Sequence, residues 1–296
     1  MASLSFIKMH GCGNDYVYLD GFSGSLPVDL QEFARRVSDR HTGIGSDGLV
    51  VMLPPDQKDT HARMRMFNSD GSEGSMCGNA LRCMAMWLFQ SGLAPRTQRI
   101  SIASEVVSAC VLESSSTDRS AVITIDMGIP SVMKLADPAR IFLQGSDAGR
   151  TRSVLPVQQV LVDVPLISEP LELACVSMGN PHAVVFVDSL ANLPFSVLGP
   201  FLETHSLFPD RANIEFVQVI SDTLAHVRVW ERGSGETRAC GSGACAVAAA
   251  GFKTDRFSPD QLVTVQMMGG SLLIRQTADQ HLHLTGPAQE SFRGTL

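Results

Sequence analysis

Two distant segments of this chain carry a cysteine in nearly the same setting. One reads Gly71-Ser72-Glu73-Gly74-Ser75-Met76-Cys77-Gly78-Asn79-Ala80. The other reads Gly233-Ser234-Gly235-Glu236-Thr237-Arg238-Ala239-Cys240-Gly241-Ser242-Gly243-Ala244. With the cysteines superposed, Glu73 falls on Glu236, Gly78 falls on Gly241, and a run of small and apolar residues follows in each. The two segments lie more than half the chain apart, which points to one structural unit made twice with a thiol at the same point of each copy. Two structural cysteines alone would not explain why glutamate and glycine recur with them.

A duplicated fold needs room, and 296 residues suit two units of about 150 each. The 44% of hydrophobic residues supplies the cores, while a net charge of −7 and the lack of a basic run argue against nucleic acid or an anionic membrane as partner. The beginning of the sequence has no basic and apolar leader, and no stretch approaches the roughly 20 apolar residues of a spanning helix, so a cytoplasmic protein is expected. Seven cysteines, an odd number, favour reduced thiols over a disulfide framework. No C-x2-C pair suggests zinc, and Cys12, Cys83, Cys110, Cys175 and Cys245 read as small hydrophobes.

Along the chain, short apolar or alternating runs predict strands at Ser5 to Met9, Tyr16 to Asp20, Leu49 to Leu53, Arg63 to Phe67, Arg99 to Ala103, Val106 to Leu112 and Ala121 to Met127. Leu30 to Ser38 reads as a helix, and Ala80 to Gln90, apolar almost all round, as a buried one. Gly128 to Pro130 makes a boundary. The second half repeats the plan, with strands near Gln158 to Val164, Glu172 to Met178, Ala183 to Val187, Asn213 to Val219 and Leu224 to Trp230, and a buried helix at Ser242 to Phe252. Strands near Val263 to Met267, Ser271 to Arg275 and His281 to Leu284 follow. The fold class is therefore mixed α/β (α+β), with one domain over 1–128 carrying Cys77 and a second over 129–284 carrying Cys240. The tail at about 285–296 is placed back on the first domain.

Several motifs fail on context. Gly43-Ile44-Gly45-Ser46-Asp47-Gly48 matches G-x-G-x-x-G but follows a helix and precedes a strand, the reverse of a dinucleotide site. His281 and His283 share a strand face but lack a third ligand, so no metal is expected. No G-x-S-x-G, H-E-x-x-H or phosphate-loop motif occurs.

The cysteine segments survive the same test. A thiol just before a helix meets unpaired N–H groups and the positive end of the helix dipole, which lower its pKa toward the range where acid-base work is efficient. Around this pair, polar residues cluster in turns: Asn14, Asn68, Asn180, His182, Asn213, and the pair Glu231 and Arg232 just before the second loop. Singly each reads as a cap or turn residue. Together they supply neutral donors and acceptors plus one guanidinium, which suits a zwitterionic amino acid, with Arg232 as a fork for its carboxylate.

The segments Lys8 to Tyr16, Arg40 to Gly45, Asn68 to Ser72, Met76 to Asn79, Met178 to His182, and Glu231 through Cys245 together resemble the diaminopimelate epimerase family, in order, from residue 8 to about 252. The resemblance implies two pseudo-symmetric domains, each a curved, mostly antiparallel sheet around a central helix. It implies cofactor-independent interconversion of LL- and meso-2,6-diaminopimelate, in lysine and peptidoglycan precursor biosynthesis, with Cys77 and Cys240 as the catalytic thiolate and thiol. It further implies substrate contacts from Asn14, Asn68, Asn180, Asn213, Glu231 and Arg232. Amides of Gly78, Asn79, Gly241 and Ser242 would hold the carboxylate at the reacting carbon, and His182 and Glu231 would tune the thiols. A homodimer is common in such a family. Two positions depart from the pattern: Gly48 stands where part of the family has a substrate-contacting Gln, and Ala80 replaces the more usual Gly. The alternative is a proline or hydroxyproline racemase-like enzyme, and a non-enzymatic thiol redox or metal protein is the reading from another class.

Overall fold

A computed structural model describes residues 4–74, 76–103, 105–137, 141–142 and 156–296. The chain divides into two compact units, Met1–Asp126 with Thr285–Leu296, and Met127–Leu284.

In the first unit, β1 (Ser5–Gly11) and β2 (Asn14–Asp20) form a hairpin. Cys12 and Gly13 make its turn, with left-handed φ of 55° and 77°. Such values are ordinary for glycine and uncommon for a residue with a side chain. Helix α1 (Leu30–Ser38) starts where Asp29 accepts from the N–H groups of Gln31 and Glu32, a side-chain cap that satisfies orphan donors of the first turn. β3 (Gly48–Leu53) returns parallel to β2, as a crossover through a helix permits, and pairs antiparallel with β4 (Ala62–Asn68). A short β5 (Glu73–Gly74) folds back on β4 and leads into α2 (Gly78–Gln90). After α2, β6 (Thr97–Ser101) lies parallel to β4, and β7 (Val106–Ser115) and β8 (Ser120–Asp126) complete a meander. The last strand of the chain pairs with both β1 and β8, so the sheet closes. Two side-chain links reinforce this closure, Thr124 with Thr285 at 2.7 Å and Arg119 with Glu290 at 2.8 Å. Helix α2 packs against β1, β2, β7 and β8 and is buried from Gly78 to Leu88, as its apolar circumference requires.

The second unit has the same connections. β9 (Ile141–Phe142) and β10 (Gln158–Val162) precede β11 (Leu171–Ser177), which forms a hairpin with β12 (Pro181–Phe186). Helix α3 (Phe195–Glu203) crosses to β13 (Asn213–Ser221), parallel to β12 and antiparallel to β14 (Leu224–Glu231). A short β15 (Gly235–Thr237) then leads into α4 (Gly241–Lys253). β16 (Val263–Met267) runs parallel to β14, followed by β17 (Gly270–Gln276) and β18 (Leu282–Thr295), whose later residues return to the first unit. Helix α4 is almost wholly glycine, alanine and other small residues, and this lets neighbours approach closely. A Cβ at Gly251 would stand 2.0 Å from the Phe257 ring.

The short strands β5, β9 and β15 had no signal in the sequence pattern, and two larger features also lay beyond its reach. Helix α3 begins at Pro194 without a side-chain cap and holds Pro200 inside it, so it lacks the usual start signal and contains a residue that removes a helical hydrogen bond. Strand β18, expected to stop near Leu284, runs on through Gly286 and Pro287 to Thr295. Proline has no donor for a ladder, yet the Pro287 carbonyl is used, accepting from Arg82 Nε at 3.0 Å.

Candidate active site

The cysteine loops are built alike. Cys77 and Cys240 are the N-cap residues of α2 and α4, each in extended backbone with φ of −147° and −122°. An extended N-cap aims its side chain at the opening turn of the helix, whose first N–H groups have no intrahelical partner. The glutamate four residues before each cysteine is held by an arginine eight residues before that glutamate. Arg65 grips Glu73 with two bonds of 2.7 and 2.9 Å, and Arg228 grips Glu236 with two of 2.8 and 3.1 Å. The recurring glutamate is therefore the anchor of the loop, tying β5 to β4 and β15 to β14 by planar two-pronged contacts.

The hairpin turns correspond as well. Asn14 and Asn180 each follow a left-handed glycine, Gly13 and Gly179, with φ of 77° and 86°. In the first unit, the Asn14 NH2 donates to Asp47 Oδ2 at 2.7 Å, and its oxygen accepts from Asn79 Nδ2 at 3.1 Å and faces Cys77 Sγ at 3.7 Å. Asn79 in turn accepts from Arg82 Nη2 at 2.8 Å. Asp47 can only accept and Arg82 can only donate, so the orientation of both carboxamides is determined. Asn68, exposed at the end of β4, donates to Ser72 Oγ at 2.9 Å. Lys8 pairs with Asp15 at 2.6 Å and Arg40 bridges Asp15 and Asp47 at 2.7 and 2.8 Å, fixing the floor beneath Asn14. Gly48 lies between β2 and β4, where a Cβ would meet the Phe67 carbonyl at 2.1 Å and the Tyr16 ring at 3.0 Å. No side chain fits there without a backbone shift.

In the second unit the surroundings are acidic. Cys240 Sγ accepts from the Gly243 N–H at 3.4 Å and lies 3.5 Å from Ser242 Oγ. The Glu231 carboxylate takes the Thr237 hydroxyl and interacts with the Cys240 thiol. His182 Nδ1 stands 2.7 Å from Glu215 Oε1, both side chains fully buried, and its Nε2 stands 2.9 Å from Asn180 Oδ1. Asn180 Nδ2 points at Ser242 Oγ at 3.5 Å. Asn213 is buried and engaged within the unit, donating to the Pro181 carbonyl at 2.9 Å and accepting from the Arg232 N–H at 3.0 Å. The Arg232 guanidinium is exposed, with Nη1 on the Asp210 carbonyl at 3.0 Å.

One expectation is reversed. The helix start was expected to lower both thiols, yet Cys240 is pushed well above the ordinary thiol value, first by burial and then by the negative charges of Glu231 and Glu215. The Ser242 hydroxyl and Gly243 N–H pull the other way and are outweighed. Glu231 is itself raised, chiefly by burial and in part by Glu215. Thiol and carboxyl are thus both held toward their protonated forms. Burial likewise raises Cys12, Cys175 and Cys83, the last to about 11, in keeping with packing roles. Among the described residues no group of three or more His, Cys, Asp or Glu side chains is placed to hold a metal ion.

Four residues that hold neighbours of the two cysteine loops were missed in the sequence: Arg65, Arg82, Glu215 and Arg228. The signal for Arg82 and Glu215 was available, since each is a charged residue inside an otherwise apolar run.

With this geometry in hand, comparison with known proteins is informative. A profile of the diaminopimelate epimerase family matches residues 6–133 and 174–290. The diaminopimelate epimerase of Moorella thermoacetica is 41% identical over 301 residues, covering 98% of both chains. That of Methanococcus maripaludis strain C6 is 39% identical over 298 residues, covering 99% of both. Among solved structures, a predicted epimerase from Pseudomonas aeruginosa superposes with a TM-score of 0.69 at 18% identity, covering 99% of both chains. A probable proline racemase from Agrobacterium radiobacter reaches 0.69 at 14%, covering 99% of this chain and 92% of its own. At such identities the structures establish the shared fold alone. No helix among the described residues is long and apolar enough to cross a membrane.

Proposed function

Because this chain belongs to the diaminopimelate epimerase family, we propose that it inverts one α-carbon of 2,6-diaminopimelate, interconverting the LL and meso forms, with Cys77 and Cys240 as the two acid-base groups. The observation that carries this reading is the pair of matched helix starts, each with a cysteine as N-cap.

The chemistry asks for both. The α-proton of an amino acid is very weakly acidic, so the charge that develops on its removal needs donors already aimed at the carboxylate. Amides of Gly78, Asn79, Gly241 and Ser242 at two helix starts supply them in this proposal, with the helix dipoles adding to the effect. One base returns a proton only to the face it left, whereas a thiolate and a thiol on opposite faces invert the centre. Passage of the Cys240 proton to Glu231 makes that sulfur a base without a cofactor. Asn14, Asn68, Asn180, Asn213, Glu231 and Arg232 serve as substrate contacts in the same reading. Asn213 and Glu231 also do internal work, Asn213 by tying β12 and β13 to the Arg232 backbone. A homodimer in the cytoplasm, acting on a small amino acid and not on nucleic acid, completes the proposal.

The test is product analysis on purified protein. LL-diaminopimelate should yield the meso form, while L-proline and 4-hydroxy-L-proline are returned unchanged. Turnover of the cyclic amino acids instead would favour the racemase alternative.

A further inference from the structure

Glu215 sits on β13 in a stretch, Asn213 to Val217, that is buried throughout. One carboxylate oxygen meets His182 at 2.7 Å, and the other, Oε2, is buried without a hydrogen-bond partner. A buried carboxylate is costly unless compensated. Two features of the unit compensate it. The start of α4 is laid directly on it: a Cβ at Gly243 would stand 2.8 Å from Glu215 Oε1, so the positive end of the helix dipole faces the charge. The other is the His182 ring, which lies between two oxygens, Glu215 Oε1 and Asn180 Oδ1, at 2.7 and 2.9 Å. The carboxylate only accepts, so Nδ1 donates to Glu215; with the Asn180 oxygen facing Nε2 as it does here, both ring nitrogens donate, the arrangement of an imidazolium paired with a carboxylate, whereas a turned carboxamide would donate to a neutral ring.

This fixes Asn180. With its oxygen bound to the ring, the carboxamide turns its NH2 toward Ser242 in the Cys240 loop. Asn14, its counterpart, has its NH2 tied to Asp47 and its oxygen facing Cys77. The same turn asparagine thus offers opposite ends in the two units.

We propose that Glu215 is the positioning residue that sets this polarity: by holding His182 protonated on both nitrogens, it makes Asn180 an obligate donor to a ligand oxygen, such as a substrate carboxylate, at the start of α4. The substrate part rests on the function proposed above, and the ring part does not. The groups facing Glu215 are His182 from β12, Cys175 from β11, Glu231 from β14 and Cys240 before α4. The last three feel its charge as repulsion, which leaves His182 as the partner that gains by it.

The test uses 15N-histidine-labelled protein, with the His182 signals assigned by their loss in His182→Gln. At pH 7.5 the wild-type ring should show two N–H protons, Glu215→Gln should show one, and Glu215→Asp should keep both. For LL-diaminopimelate, kcat/KM in Glu215→Gln should fall about 10- to 100-fold, the worth of one hydrogen bond to a charged group, mostly through KM. Glu215→Asp should recover part of that loss. A single N–H on the wild-type ring, a result that needs no variant to fold, overturns the proposal. So do two N–H protons in Glu215→Gln, or unchanged kinetics in a Glu215→Gln whose ring has lost one. Wild-type protein inactive on diaminopimelate but with the expected spectra would refute the substrate reading while leaving the ion pair standing.

Discussion

Asn68 and Glu231 occupy the same place in the duplicated fold: each is the last residue of its strand, β4 or β14, and each stands nine residues before its cysteine. The equivalent position is a neutral amide in one unit, where it donates to Ser72, and in the other a carboxyl that acts on the thiol. After burial, ionised Glu231 is what raises Cys240, and in the proposed mechanism it is the group that takes the Cys240 proton. Glu231→Gln should therefore lower kcat by about 100-fold or more, the usual range for a lost proton-transfer group. It should also move Cys240 alkylation by iodoacetamide to lower pH, as mapped by peptide mass spectrometry. Alkylation of Cys240 in the unaltered protein should become rapid only above the ordinary thiol range.

Stability gives the same residue a second readout. A carboxyl whose folded pKa lies above its unfolded value favours folding at low pH and costs stability as pH rises past the unfolded value of about 4.3. Glu231→Gln should thus melt at or above the wild-type temperature at pH 8, with the difference shrinking toward pH 4. A variant less stable than wild type at pH 8 would contradict the raised carboxyl.

Asp15 behaves in the opposite sense. Burial pushes its carboxyl up, but hydrogen bonds and charges from Arg40 and Lys8 outweigh burial and hold it below the ordinary value. Its contribution to stability is present above pH about 3.9 and is lost as pH falls through the lower folded value. Asp15→Asn should cost roughly 1 to 2 kcal/mol at pH 7, allowing for the exposure of Arg40, and progressively less below pH 4. Urea unfolding at several pH values measures this.

Gly243 has no room for a side chain. An added methyl group would lie 2.8 Å from Glu215 Oε1, 3.2 Å from Cys240 Cβ and 3.3 Å from Cys240 Sγ. Gly243→Ala should cost about 1 to 3 kcal/mol from overpacking and lower kcat by displacing the sulfur.

How much of this was readable in the chain follows from what each feature needs. The duplication showed because each cysteine loop needs glycine to turn and glutamate to take the arginine fork, and these are local requirements. Helix α1 and strand β16 matched the expected bounds, because Asp29 caps one and alternating burial marks the other. The raised Cys240 was not legible. It depends on burial and then on Glu231 and Glu215 arriving from two other strands, and the local signal, a thiol before a helix, points the other way. Arg82 and Glu215 stand out in the sequence as charges in apolar runs, but what they do was hidden for the same reason, since their partners Asn79, Pro287 and His182 come together only through the closed sheet and the β12–β13 pairing.

The central claim is that two cysteines carry inversion of an α-carbon, and proton exchange with solvent tests it most directly. LL-diaminopimelate incubated in heavy water with the unaltered protein should give meso product carrying deuterium at the inverted carbon from the earliest time points, because the delivered proton comes from a thiol that exchanges with solvent. Cys77→Ala and Cys240→Ala should each abolish that inversion. Product without deuterium at early times, or full inversion by either single variant, would contradict it.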